Sequence, residues 1–80
     1  MNLAPEKNPI RLALVDDSEV VRAGLRALLG TDARVKIVGE AGTAATGIEL
    51  CARVQPEIAL LDIRLPDGPG FDVCRAILQK

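Results

Sequence analysis

Three aspartates carry most of the chemistry this sequence could perform. Asp16 and Asp17 close the apolar run of "IRLALVDD", and Asp62 closes that of "EIALLD". A carboxylate at the mouth of a buried strand is costly unless something cationic meets it. In parallel α/β sheets the carboxyl ends of neighbouring strands converge on one ligand site. If the strands carrying these acids are neighbours, Asp16, Asp17 and Asp62 meet. Three like charges together repel and raise one another's pKa unless a cation holds them. A hard, oxygen-seeking divalent ion suits such a cluster, and magnesium with several retained waters is the expected one. A carboxylate beside bound magnesium can accept a phosphoryl group as the nucleophile, the metal neutralising charge on the transferring oxygens. Asp62 stands alone at its strand end and is the expected acceptor; Asp16 and Asp17 are the expected clamp. The competing reading makes the acids helix caps and turn formers. It suits Asp67, next to Gly68, but it does not explain acids at two strand ends that the topology brings together.

The elements that must position these acids follow from hydrophobic pattern. Residues 1–8 hold two polar-proline steps and no periodicity, which predicts a flexible leader before a domain over 9–80. Leu12 to Val15 is a near-continuous apolar run, the mark of a strand covered on both faces. Ser18 or Asp17 can cap the helix that follows, whose Val21, Leu25, Leu28 and Leu29 recur at helical spacing until Gly30. "RVKIVGEAG" predicts a second strand through Val35, Ile37 and Val38. Thr43 opens a second helix with Ile48, Leu50, Cys51 and Val54 on its apolar face, ended by Pro56. "EIALLD" is a third strand. A loop of Pro66, Gly68, Pro69 and Gly70 leads to a third helix, with Phe71, Val73, Cys74, Ile77 and Leu78 as burial candidates. The order β-α-β-α-β-α with short connections predicts an α/β parallel sheet with helices on its faces.

Composition narrows the function. Eighty residues suffice for one domain, and 49 % hydrophobic against 26 % charged is globular. Phe71 is the only aromatic and the net charge is −1 with scattered Lys and Arg, which argues against a nucleic-acid face in these residues. No run spans a bilayer and the start lacks a signal-peptide core, so a cytoplasmic location with no membrane partner is expected. With no His and two unframed cysteines, a zinc site is not expected; Cys51 and Cys74 read as small helix-packing residues. The glycines of "GEAGTAATG" have neither the spacing nor the placement of a nucleotide loop.

"LVDD" before a helix, then "LLDIRLPDGPG" with Asp62, Pro66 and Gly70 at the spacing Asp-x3-Pro-x3-Gly, resembles the receiver domain of two-component response regulators. "VVRAGLRALL", "IVGEAG" and "RLPDGPGFDVC" are most similar to the LuxR-type (NarL/FixJ-like) transcription regulators. The resemblance runs from about Ile10 to Lys80. It implies a flavodoxin-like, doubly wound sheet of strand order 2-1-3. It further implies phosphorylation of Asp62 by a sensor histidine kinase and direct magnesium ligation by Asp17, with Asp16 acting mostly through water. The backbone carbonyl of Arg64 is a further implied ligand, and Pro66 and Gly70 shape the loop. DNA enters only through an effector domain that is absent here.

The family pattern also needs a Ser or Thr after a fourth strand and a Lys after a fifth. Neither is assignable here, and Lys7 and Lys36 lie in the wrong places. The chain is therefore expected to be the N-terminal part of a receiver. Its third strand, apolar on both faces, would be an exposed edge prone to homodimer formation or swapping. A monodisperse monomer in sedimentation over a wide concentration range would count against that. The chain is not expected to be an enzyme. The alternative function is a non-catalytic α/β interaction module whose acids only bind a cation or cap helices. A metal-dependent hydrolase is more remote, because no His is available as general base.

Overall fold

The computed structural model describes residues 8–78, so residues 1–7 of the expected leader, and Gln79 and Lys80, lie outside the described residues. Strands β1 (Ile10–Val15), β2 (Val35–Ala41) and β3 (Ile58–Leu61) form a parallel sheet of order β2-β1-β3. Helices α1 (Glu19–Leu29), α2 (Ala44–Val54) and α3 (Gly70–Leu78) alternate with them. The order and the parallel pairing follow the sequence reading. The proline-glycine loop holds more than a loop: β4 (Arg64–Leu65) and β5 (Gly68–Pro69) pair antiparallel as a small hairpin.

The alternation of β1 divides the core. Ala13 and Val15, both 0 % exposed, face α2 and α3 and pack with Leu50, Cys51, Leu65 and Val73. Leu14, also fully buried, lies on the opposite side, where it shares a cleft with Leu25 of α1 and Leu60 of β3. Each such aliphatic side chain contributes about 1.5–3 kcal/mol when removed from water. Glycines admit the closest approaches. A Cβ on Gly47 would lie 2.8 Å from Val15 Cγ1, so α2 sits directly against β1. A Cβ on Gly39 would collide with Leu50, and the register slip that places Gly39 opposite Ala13 leaves Val38 as the extra residue.

Caps set the helix ends. Ser18, not Asp17, caps α1, its Oγ accepting from the Val21 amide at 3.2 Å. Thr43 and Thr46 form a reciprocal capping box on α2. The C-termini fall where the sequence pattern ends the helices, at Gly30 and just before Pro56. Gly30 caps α1 in an ordinary right-handed conformation (φ −65°). The left-handed residue is Gln55 (φ 47°), just before Pro56. Arg11 answers the freed carbonyls of α2, donating to Gln55 O at 2.7 Å and Val54 O at 2.5 Å.

Several burial expectations are corrected. No residue of α1 is buried, and Val21 and Leu28 are exposed. Of its apolar repeat, Leu25 and Leu29 are half-buried. In α3, Val73 is buried and Ile77 half-buried, while Phe71, Cys74 and Leu78 point away from α2 and the sheet and are exposed. Cys51 is the helix-packing cysteine; Cys74 is not. Among the described residues β3 pairs with β1 alone, and Ile58 and Leu60 are exposed on this edge strand.

Candidate metal centre

Backbone pairing brings the acids to one edge of the sheet. The Asp16 amide donates to Ala41 O at 3.0 Å, and the Asp62 amide donates to Val15 O at 2.8 Å. Each strand thus delivers an aspartate one residue past its end, on adjacent strands. One oxygen from each of Asp16, Asp17 and Asp62 lies within 4.8 Å of the others, and these are the one such acidic group among the described residues. Asp17 is exposed; Asp16 and Asp62 are half-buried.

Local hydrogen bonds aim two of the carboxylates. Asp16 Oδ1 accepts from the Ser18 amide at 2.9 Å, and Asp62 Oδ1 accepts from the Arg64 amide at 3.0 Å. Both are aspartate turns that fix the carboxyl against its own loop. Among the described residues, no Lys or Arg forms an ion pair with any of the three. Clustered carboxylates with unshared oxygens and no protein cation are a donor set that fits a hard divalent ion. Beside them lies an open cleft of about 150 Å³ lined by Leu14, Val15, Asp16, Leu25, Leu60, Leu61 and Asp62, so the acids border an apolar wall.

The loop behind Asp62 is built around Gly70. A Cβ there would overlap the Asp62 carbonyl oxygen and lie 3.4 Å from Ile63 Cα. The Gly70 amide donates to Ile63 O at 2.9 Å, and Gly70 is buried. Pro66 is exposed at the tip of the β4–β5 hairpin, and Arg64 opens it opposite Pro69. Gly68 adopts φ +154°, a region open to glycine and disfavoured for other residues.

Asp67 is more than the turn former expected from its neighbour Gly68. Its two carboxylate oxygens accept from the amides of Ala44 (2.6 Å) and Ala45 (3.0 Å), tying the hairpin to the N-terminus of α2. No local pattern signals a contact between residues 22 and 23 positions apart. These bonds, that from Ala45 first, hold the Asp67 carboxyl below its ordinary value of 3.8. A carboxyl depressed in the folded state stabilises above the unfolded-state value, and that contribution is lost as pH falls through the folded-state value. Asp67→Asn is thus expected to lower the urea midpoint at neutral pH and to flatten its fall as pH drops below the ordinary carboxyl value of 3.8. Asp32, held at about 2 by Arg34, leaves a residual acid limb in the variant. Superimposable pH profiles for variant and wild type would contradict the tether.

A parallel β2-β1-β3 sheet with helices between the strands and acids at its carboxyl edge is the flavodoxin-like arrangement of signal receivers. Residues 12–80 match the response regulator receiver domain, and the chain belongs to that family. It is 46% identical over 71 residues to the DNA-binding transcriptional activator DevR/DosR of Mycobacterium tuberculosis, covering 89% of this chain and 33% of that protein. It is 36% identical over 73 residues to the nitrate/nitrite response regulator protein NarP of Escherichia coli, covering 91% of this chain and 34% of that protein. The chain therefore spans about a third of the length of these curated relatives. Among solved structures, the receiver domain of the response regulator NarL from Mycobacterium tuberculosis matches with a TM-score of 0.85 at 33% identity. That match covers 90% of this chain and 58% of that one. The receiver domain of Thermotoga maritima CheB matches with a TM-score of 0.87 at 27% identity, covering 91% and 55%. No helix among the described residues is long and apolar enough to cross a membrane.

Proposed function

We propose that this chain accepts a phosphoryl group on Asp62 from a phosphohistidine of a sensor kinase, in the cytoplasm and with Mg2+. In the whole protein the transfer would control transcription through a DNA-binding effector domain. The observation that carries the reading is the approach of three carboxylates from two adjacent strand ends to within 4.8 Å. The names of DevR/DosR and NarP support the transcriptional half.

The residues divide the work. Asp16 and Asp17 would hold the ion with Asp62 and the Arg64 carbonyl. Bound Mg2+ supplies charge neutralisation on the transferring phosphoryl oxygens. The Asp62 carboxylate attacks phosphorus, a P–O bond forms as the P–N bond to the imidazole breaks, and the histidine leaves neutral once reprotonated. The Arg64 amide keeps one Asp62 oxygen oriented, and no protein partner among the described residues engages the other. The apolar cleft wall of Leu14, Leu25 and Leu60 lowers the local dielectric, which strengthens these charge interactions. The exposed edge of β3 supports a second proposal, self-association through strand pairing.

The metal half is tested by amide-resolved NMR with added Mg2+. Saturable shifts centred on Asp16, Asp17, Asp62 and Arg64 are expected, with affinity at least about tenfold weaker in Asp17→Asn, as removal of a charged ligand demands. Shifts that ignore these residues, or an Asp17→Asn variant that binds as wild type, would leave the acids as caps and favour the non-catalytic interaction module.

A further inference from the structure

We infer that Arg22 is a positioning residue for the Asp16–Asp17 clamp; the inference rests on the reading that these carboxylates hold Mg2+. One guanidinium joins three elements. Its Nη1 donates to the backbone carbonyl of Asp16, its Nε donates to Glu40 Oε1 of β2 at 3.1 Å, and its Nη2 donates to Glu19 Oε2 of α1 at 2.6 Å. Its side chain is only 15% exposed, on a helix with no buried residue. Gly42, just past β2, closes over it. A Cβ there would lie 3.4 Å from Arg22 Nη1, 3.9 Å from Asp16 O and 4.0 Å from Asp17 Cα.

The remaining restraints on the acid loop are few. The Asp16 amide is held by Ala41 O, and Asp16 Oδ1 by the Ser18 amide. Among the described residues no hydrogen bond or ion pair reaches the Asp17 carboxylate, so its place depends on where the Asp16 backbone is held. Arg22 fixes that backbone to the sheet through Glu40, which Arg26 also binds at 2.5 Å. Outer partners that orient metal ligands typically control affinity by about 10–100-fold.

The sign of the effect separates positioning from charge. Arg22 is a cation near a cation site, so if it acted by charge alone, its removal would tighten Mg2+ binding. Positioning predicts the reverse. It also predicts that Lys is a poor substitute, because an ammonium cannot span the Asp16 carbonyl and two carboxylates as the planar fork does.

The test is Mg2+ titration of the full chain, read from the amide shifts of Asp17 and Asp62, for wild type, Arg22→Ala and Arg22→Lys. Thermal unfolding without metal is measured alongside. Both variants are expected to bind Mg2+ about tenfold or more weakly, while their metal-free amide spectra stay dispersed. Unchanged or tighter binding in Arg22→Ala, or full rescue by Arg22→Lys, overturns the inference. If Arg22→Ala does not fold, Arg22→Lys decides: weaker binding in a folded variant supports positioning, and wild-type binding overturns it. A wild-type chain that does not bind Mg2+ at all refutes the metal reading itself, an outcome distinct from any of these.

Discussion

Asp62→Asn is expected to reduce phosphoryl uptake from a small phosphodonor to background while leaving the fold intact. The side chains are isosteric, and the asparagine carbonyl oxygen can still accept from the Arg64 amide as Asp62 Oδ1 does at 3.0 Å. The backbone bond from the residue 62 amide to Val15 O is untouched. What disappears is the anionic nucleophile, and a neutral amide does not displace an imidazole from phosphorus. One metal ligand loses its charge as well, so Mg2+ should bind more weakly with Asp16 and Asp17 remaining. Labelling followed by intact-mass measurement checks this. A variant labelled to the extent of wild type would remove Asp62 from the acceptor role.

Gly70→Ala is expected to be the most damaging single-methyl change in the loop. The added Cβ meets backbone on every side: the Asp62 carbonyl oxygen, the Asp62 carbonyl carbon at 3.0 Å and Ile63 Cα at 3.4 Å. Backbone cannot rotate away as a side-chain tip can, so β3, the hairpin or the start of α3 must shift. Overpacking of this kind costs about 1–3 kcal/mol, a large share of the stability of a small domain. Because the clash falls on Asp62 itself, the loss should appear twice, as a lower urea midpoint and as weaker Mg2+ binding. Gly24→Ala, where a Cβ meets nothing within 4 Å, is the control and should be neutral or slightly stabilising. Equal stability of Gly70→Ala and wild type would show that the loop yields easily and does not hold Asp62.

The sheet was legible because its signals are local. The apolar runs end on acids at Asp16 and Asp62, the caps Ser18 and Thr43 stand where helices begin, and Pro56 marks the break before β3. The meeting of the acids was also foreseeable, since it needs only the order β2-β1-β3. Burial on the helices was less so. Periodicity marks the apolar stripe of α1 and α3 but not how much of it is covered: Phe71 and Leu78, burial candidates by pattern, are exposed, as are Val21 and Leu28 of the α1 repeat. Least visible were the long-range tethers. Asp67 reaching Ala44 and Ala45, and Arg22 reaching Asp16 and Glu40, depend on which loops the fold brings together, and neither residue differs in type from an ordinary turn acid or helix-surface cation. The Asp-x3-Pro-x3-Gly spacing of Asp62, Pro66 and Gly70 marked the loop, and the structure supplies its reason at Gly70 in the contact with the Asp62 carbonyl.

The most direct test of the account is to treat the full chain with a small phosphodonor and Mg2+, trap the acyl phosphate and locate the modified residue by tandem mass spectrometry. The account predicts one labelled residue, Asp62, whose labelling requires Mg2+ and disappears when the metal is chelated. Label on Asp16, Asp17 or Asp67 instead, or no label from a chain that demonstrably binds Mg2+, would contradict it.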